Sequence, residues 1–69
     1  MAKDFKRSLT IAGHRTSLSL EPEFWEALNQ AAATRGTSLA GLVAEIDSTR
    51  GGRNLSSAIR VWLLQRARA

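Results

Sequence analysis

Arg15-Thr16-Ser17-Leu18-Ser19-Leu20-Glu21-Pro22-Glu23-Phe24 is the stretch on which the fold turns. Its first six residues alternate polar and apolar, and side chains alternate between faces along a strand. Leu18 and Leu20 therefore point one way while Arg15, Ser17 and Ser19 point the other. At Pro22 the pattern changes to a helical one. Proline has the fixed φ that suits a first helical position, and Glu21, Glu23 and Glu26 lie where the positive end of a helix dipole favours carboxylates. The stretch after Leu20 offers no second strand. The expectation is thus a strand paired with the same strand of a second copy, making an intersubunit antiparallel ribbon whose outer face carries arginine and hydroxyls. Such a face suits base edges in a DNA major groove.

Upstream, Ser8-Leu9-Thr10-Ile11-Ala12 is another short alternation, followed by Gly13-His14. Leu9 and Ile11 are odd-numbered whereas Leu18 and Leu20 are even, so one flat strand cannot hold all four on one face. A bulge, a bend or a hairpin turn near Gly13 would reconcile them, and glycine tolerates each. Downstream, Phe24, Trp25, Leu28, Ala31 and Ala32 follow the helical period to Gly36, a natural C′ residue. Thr37-Ser38 supplies an N-cap for a second helix bearing Leu39, Leu42, Val43 and Ile46. Gly51-Gly52 ends it, and Asn54 or Ser56 caps a third helix with Leu55, Ile59, Trp62 and Leu63 as its apolar stripe. The expected class is mainly α with one short strand. Three segments result: a basic lead-in at 1–14 that could extend the strand, a strand–helix–helix core at 15–50, and a loop and third helix at 51–69.

Composition narrows the function classes. A chain of 69 residues without cysteine has room for one domain and no disulfide to staple it. Domains this small bury only about 60% of their unfolded surface, so association is the expected remedy. No apolar run approaches the roughly 20 residues of a bilayer span, and the N-terminus lacks the apolar stretch of a signal peptide, which suggests a cytoplasmic protein. The formal net charge of +4 is unevenly spread. Residues 1–20 hold four cations against Asp4 (+3), residues 21–47 hold five acids against Arg35 (−4), and residues 48–69 hold five arginines and no acid (+5). Basic ends around an acidic middle suit a polyanion partner. Solvated arginines that keep a small protein soluble would give the same pattern.

Catalysis is not indicated. With no cysteine and one histidine, a nucleophile with an oriented base is not available, and no catalytic residue, cofactor or metal ligand set is assigned. His14 sits beside the presumed bend. Trp25 and Trp62 fall on apolar stripes and read as core or dimer-interface residues.

The order of alternating strand, proline-started helix, Gly36-Thr37-Ser38 turn and a helix bearing Leu42 and Val43 resembles the ribbon-helix-helix DNA-binding superfamily, the fold of the Arc and Met repressors. From about Ser8 to Leu64 the chain is similar to small bacterial ribbon-helix-helix domain proteins of unassigned function. The likeness is carried by Gly13-His14-Arg15-Thr16-Ser17, Leu20-Glu21-Pro22-Glu23-Phe24-Trp25, Leu42-Val43-Ala44-Glu45-Ile46-Asp47 and Asn54-Leu55-Ser56-Ser57-Ala58-Ile59-Arg60. It implies an intertwined homodimer with Leu18, Leu20, Phe24, Trp25, Leu28, Leu42, Val43 and Ile46 in the dimer core. Arg15, Ser17 and Ser19 would face bases, and Thr37, Ser38 and Leu39 would hold phosphate at a helix N-terminus. Lys6, Arg7, Arg60 and Arg66 are candidates for auxiliary phosphate contacts. The implied function is that of a sequence-specific, repressor-type transcriptional regulator. The chain departs from the superfamily in its Gly51-Gly52 interruption, its third helix, and a ribbon without amides. The alternative is a protein-interaction module or antitoxin-type partner binder working through the third helix. That alternative gains if the ribbon cations and the tail cations lie on opposite faces.

Overall fold

The computed structural model describes residues 5–68 and has two strands and three helices in the order β1 (Phe5–Ile11), β2 (His14–Leu20), α1 (Pro22–Arg35), α2 (Leu39–Ser48) and α3 (Leu55–Arg68). The parity conflict resolves as a hairpin. β1 and β2 pair antiparallel with Ile11 opposite His14, Leu9 opposite Thr16, Arg7 opposite Leu18 and Phe5 opposite Leu20. Each odd residue of β1 thus faces an even residue of β2, so Leu9, Ile11, Leu18 and Leu20 share one side. The loop is the two residues Ala12 and Gly13, with φ of 53° and 84°. Positive φ at both central positions is the type I′ requirement, whose twist matches that of the flanking strands. Gly13 adopts it freely, whereas Ala12 is an L residue in the left-handed region.

The expectation of one short strand is corrected to two: β2 is hydrogen-bonded to β1 of its own chain, because the two-residue turn at Ala12 and Gly13 folds the strand back on itself. Residues 1–4 of the basic lead-in lie outside the described residues, but residues 5–11 are half of the sheet. The residues assigned to a dimer core are likewise buried inside one chain: Leu18, Leu20, Trp25, Leu28, Leu42, Val43 and Ile46 pack with Ile11, Ala31, Ala32, Ala58, Ile59 and Leu63. Phe24 is only half-buried. Exchange of strands between subunits is not needed to close either the sheet or the core.

Each helix boundary has a local cause. Glu21 precedes α1 in extended conformation, with Pro22 in the first turn, and its carbonyl accepts from the Phe24 and Trp25 N–H groups at 2.9 and 3.0 Å. Gly36, at φ 69°, ends α1 by donating to Ala32 and Ala33 carbonyls. The Ser38 hydroxyl caps α2 by accepting from Gly41 N–H at 2.9 Å. A Cβ at position 41 would sit 2.6 Å from Thr37 Oγ1 and 3.0 Å from Ser38 Oγ, which explains a glycine inside this helix. Asn54, rather than Ser56, caps α3, its Oδ1 accepting from Ser57 N–H at 2.8 Å.

Ser56 does something else: its hydroxyl donates to the Ser19 carbonyl at 2.9 Å, pinning the start of α3 to β2. One turn later Arg60 donates to Glu21 Oε1 through Nε at 3.0 Å and through Nη2 at 2.9 Å, and its guanidinium lies 5.6 Å from the Phe24 ring centre. With Ala58, Ile59 and Leu63 buried, α3 is a wall of the core rather than an appendage. The three helices cover one side of the hairpin and leave the other to solvent.

A candidate nucleic-acid interface on the outer hairpin face

The register that buries Leu18 and Leu20 assigns the opposite face residue by residue. Lys6 stands across from Ser19, Ser8 across from Ser17, and Thr10 across from Arg15. All are exposed except Ser19, which is half-buried. Among the described residues the face therefore presents two cations and four hydroxyls and no carboxylate. Seven residues per strand give a ribbon about 23 Å long at roughly 3.3 Å per residue. Two strands about 4.8 Å apart are narrow enough for a major groove about 12 Å wide. Arginine supplies a bidentate fork for guanine, and hydroxyls donate or accept with several bases.

Arg15, Ser17 and Ser19 thus share the exposed face with Lys6, whereas Arg7 lies on the other. Arg7 stands over Trp25 with its guanidinium 5.0 Å from the ring centre, while the Trp25 indole N–H donates to the Phe5 carbonyl at 2.8 Å. Ser8 and Thr10 were not anticipated as part of this surface. The signal that could have found them was the Ala12-Gly13 turn, since a two-residue loop dictates which β1 residue meets which β2 residue.

At the start of α2 the Ser38 hydroxyl is committed to Gly41 N–H and the Ser38 carbonyl to Leu42 N–H, while Thr37 N–H goes to the Ala32 carbonyl. The backbone N–H groups of Leu39 and Ala40 have no partner among the described residues. They lie at the positive end of a ten-residue helix. Ser38 therefore acts on the helix end through its cap, and the free donors are backbone groups.

The structure sorts the arginines more sharply than composition can. Arg35 pairs with Glu45 and stacks on Trp62 at 5.8 Å, Arg50 pairs with Asp47 at 2.6 Å, and Arg60 is held by Glu21. Arg60 is thus an internal tie. Arg53, Arg66 and Arg68 are exposed without ion pairs among the described residues. They stand on or beside α3, on the helical side of the sheet, so the tail cations and the outer-face cations do not form one continuous face. Glu21 is also electrostatically marked: a backbone hydrogen bond first, and then the Arg60 guanidinium, hold its carboxyl below the usual 4.5.

Two concavities flank α3. A cleft of about 290 Å³ between α2 and α3 is walled by Thr49, Arg50, Arg53 and Gln65 over Trp62. A groove of about 430 Å³ between α1 and α3 is apolar and includes the exposed Leu64. His14 is exposed beside the hairpin turn. Among the described residues no three His, Cys, Asp or Glu side chains cluster as a metal site would require, and no helix is long and apolar enough to cross a membrane.

Comparison with curated proteins and with solved structures gives no match. A family model does match, over residues 5–67, which spans the hairpin and all three helices, and it is that of the ribbon-helix-helix domain.

Proposed function

This chain belongs to the ribbon-helix-helix domain family, and from that premise we propose that it binds duplex DNA as a transcriptional regulator, laying the outer face of its hairpin in the major groove. The observation that carries this reading is the face made by Lys6, Ser8, Thr10, Arg15, Ser17 and Ser19, which carries cations and hydroxyls and, among the described residues, no acid. A solvated sheet face with no binding duty ordinarily mixes both signs of charge. Arg15 reads guanine, and the hydroxyls around it add contacts of low discrimination. The Leu39 and Ala40 N–H groups, with Thr37 and Ser38 beside them, donate to a backbone phosphate and set the register. Lys6 adds charge on the same face, whereas Arg60 and Arg7 serve the fold. The protein acts by occupying a site and performs no chemistry on it.

This differs from a strand-exchanged ribbon in one respect: each chain carries a complete reading element. A homodimer presents two such elements rather than sharing one.

The second reading, a protein-interaction module, is favoured by one observation. The tail arginines do not join the ribbon face, and an apolar groove lies open beside α3. An antitoxin-type tail is not supported, because α3 contributes three buried residues to the core. Fluorescence anisotropy with genomic duplex fragments across a salt series separates the two. DNA binding predicts measurable affinity near 50 mM salt that weakens steeply by 200 mM, as counterion release requires. No binding at the lower salt would remove the DNA reading and leave the interaction module standing.

A further inference from the structure

The cleft of about 290 Å³ between α2 and α3 joins two kinds of wall. Ala58 and Trp62, one turn apart on α3, give it an apolar floor, and Gln65 continues that stripe. Trp62 is steadied by the Arg35 guanidinium, 5.8 Å from its ring centre. The rest of the rim comes from Thr49, Arg50 and Arg53, at the turn that ends α2. That turn is tied at several points. Gly51 takes φ 63°, the Arg53 N–H donates to the Arg50 carbonyl at 3.3 Å, and Arg50 Nη1 donates to the Arg53 carbonyl at 2.9 Å. Arg50 Nε is held in addition by Asp47 Oδ1 at 2.6 Å. Arg50 is thus a strut whose charge Asp47 offsets, whereas the exposed Arg53 has no ion pair among the described residues. No acid lines the cleft among the described residues, so Asp47, Arg50 and Arg53 together leave one positive charge beside an apolar floor.

We propose that this cleft binds a small aryl monocarboxylate, its ring on Ala58 and Trp62 and its carboxylate on the Arg53 guanidinium, with the Gln65 amide donating beside it. Size selects the class first. Benzene fills a cavity of about 150 Å³, so this cleft takes one ring or two fused rings together with a carboxylate. Charge selects next, because a single uncompensated guanidinium matches a monoanion, and its planar fork fits the two oxygens of a carboxylate. The donor supply agrees. The Thr49 hydroxyl donates to the Ile46 carbonyl at 3.2 Å and offers a ligand only lone pairs, which leaves donation to Arg53 and Gln65. An arginine that merely kept the chain soluble would need neither a turn closed from both sides nor an aromatic floor next to it. The inference does not rest on the DNA reading, since the cleft lies on the helical side of the sheet and its ligand is tested without DNA.

The two tryptophans of the full chain give two indole N–H signals in a ¹⁵N-labelled sample, and these report the test. The probes are 1-naphthoate, its neutral twin 1-naphthamide, and inorganic phosphate as an anion without a ring. Naphthoate should move the Trp62 signal saturably, with a dissociation constant of about 1 mM or tighter. The Trp25 signal should stay in place, because that indole N–H is held by the Phe5 carbonyl. Naphthamide and phosphate should each bind at least about tenfold more weakly. Arg53→Gln should weaken naphthoate by about tenfold or more with unchanged far-UV circular dichroism, since losing a hydrogen bond to a charged group has that effect. Arg68→Gln, which removes a cation outside the cleft, should leave binding as it was. Absence of a saturable Trp62 shift by about 10 mM naphthoate overturns the proposal. So does equal binding of naphthamide or phosphate, undiminished binding by Arg53→Gln, or an equal loss in Arg68→Gln.

Discussion

At the scale of single residues, three positions carry separable duties. Arg15 is exposed on the outer face and supports none of the core, so Arg15→Ala should fold as the wild type does. It should lower affinity for a preferred DNA site by about 1–3 kcal/mol and weaken random DNA less, so that competition binding shows the specificity ratio shrinking. An equal loss on both would make Arg15 a phosphate contact. Ala12 holds φ 53° in the hairpin turn. A left-handed conformation costs an ordinary L residue roughly 1–2 kcal/mol, and Asn relieves part of this through local hydrogen bonding. Ala12→Asn is therefore expected to stabilise by about 0.5–1 kcal/mol in urea melts, with DNA affinity unchanged. Glu21 ties strand to helix, and its depressed carboxyl links stability to pH. The folded form holds the proton less tightly than the unfolded chain, so this contribution is present above about pH 4.5 and is lost as pH falls through the lower folded value. The wild-type melting temperature should drop more steeply with acid than that of Glu21→Gln.

Among elements, the third helix is the one whose role changed most between sequence and structure. Its apolar stripe was plain from Leu55, Ile59, Trp62 and Leu63, but a stripe says only that something is covered. The structure supplies what covers it: β2 through Ser56 and Ser19, α1 through Arg60 and Glu21, and a core that includes Ile59 with no exposed surface. Ile59→Ala should cost about 2–5 kcal/mol by differential scanning calorimetry. A domain of this size has only about 3–10 kcal/mol to lose, so partial unfolding at room temperature is an expected result. A cost below about 1 kcal/mol would mean that α3 is a detachable appendage after all. The α2 cap follows a similar logic in miniature, since Ser38 and Thr37 leave no room for a Cβ at Gly41.

At the scale of the whole molecule, local signals determined a good deal. The strand at Arg15–Leu20, the helix start at Pro22, the left-handed stop at Gly36 and the Ser38 cap all depend on residues within a turn of one another. Each is written in φ preferences and side-chain hydrogen bonds that need no distant partner. The alternation also sufficed to set Arg15, Ser17 and Ser19 opposite Leu18 and Leu20, and the order of elements sufficed for the family. What only the tertiary structure decided was pairing. Alternation specifies faces but carries no information about which strand supplies the neighbouring hydrogen bonds, so β2 could be given a partner in another chain although β1 ends only a two-residue loop upstream. The same gap hid Ser8 and Thr10 from the outer face and hid the difference between Arg60, held by Glu21, and Arg66, which has no ion pair among the described residues. A charge in a sequence has a sign and a position along the chain. Whether it is free to meet a ligand depends on which carboxylate the fold has brought beside it, and that is a property of three dimensions.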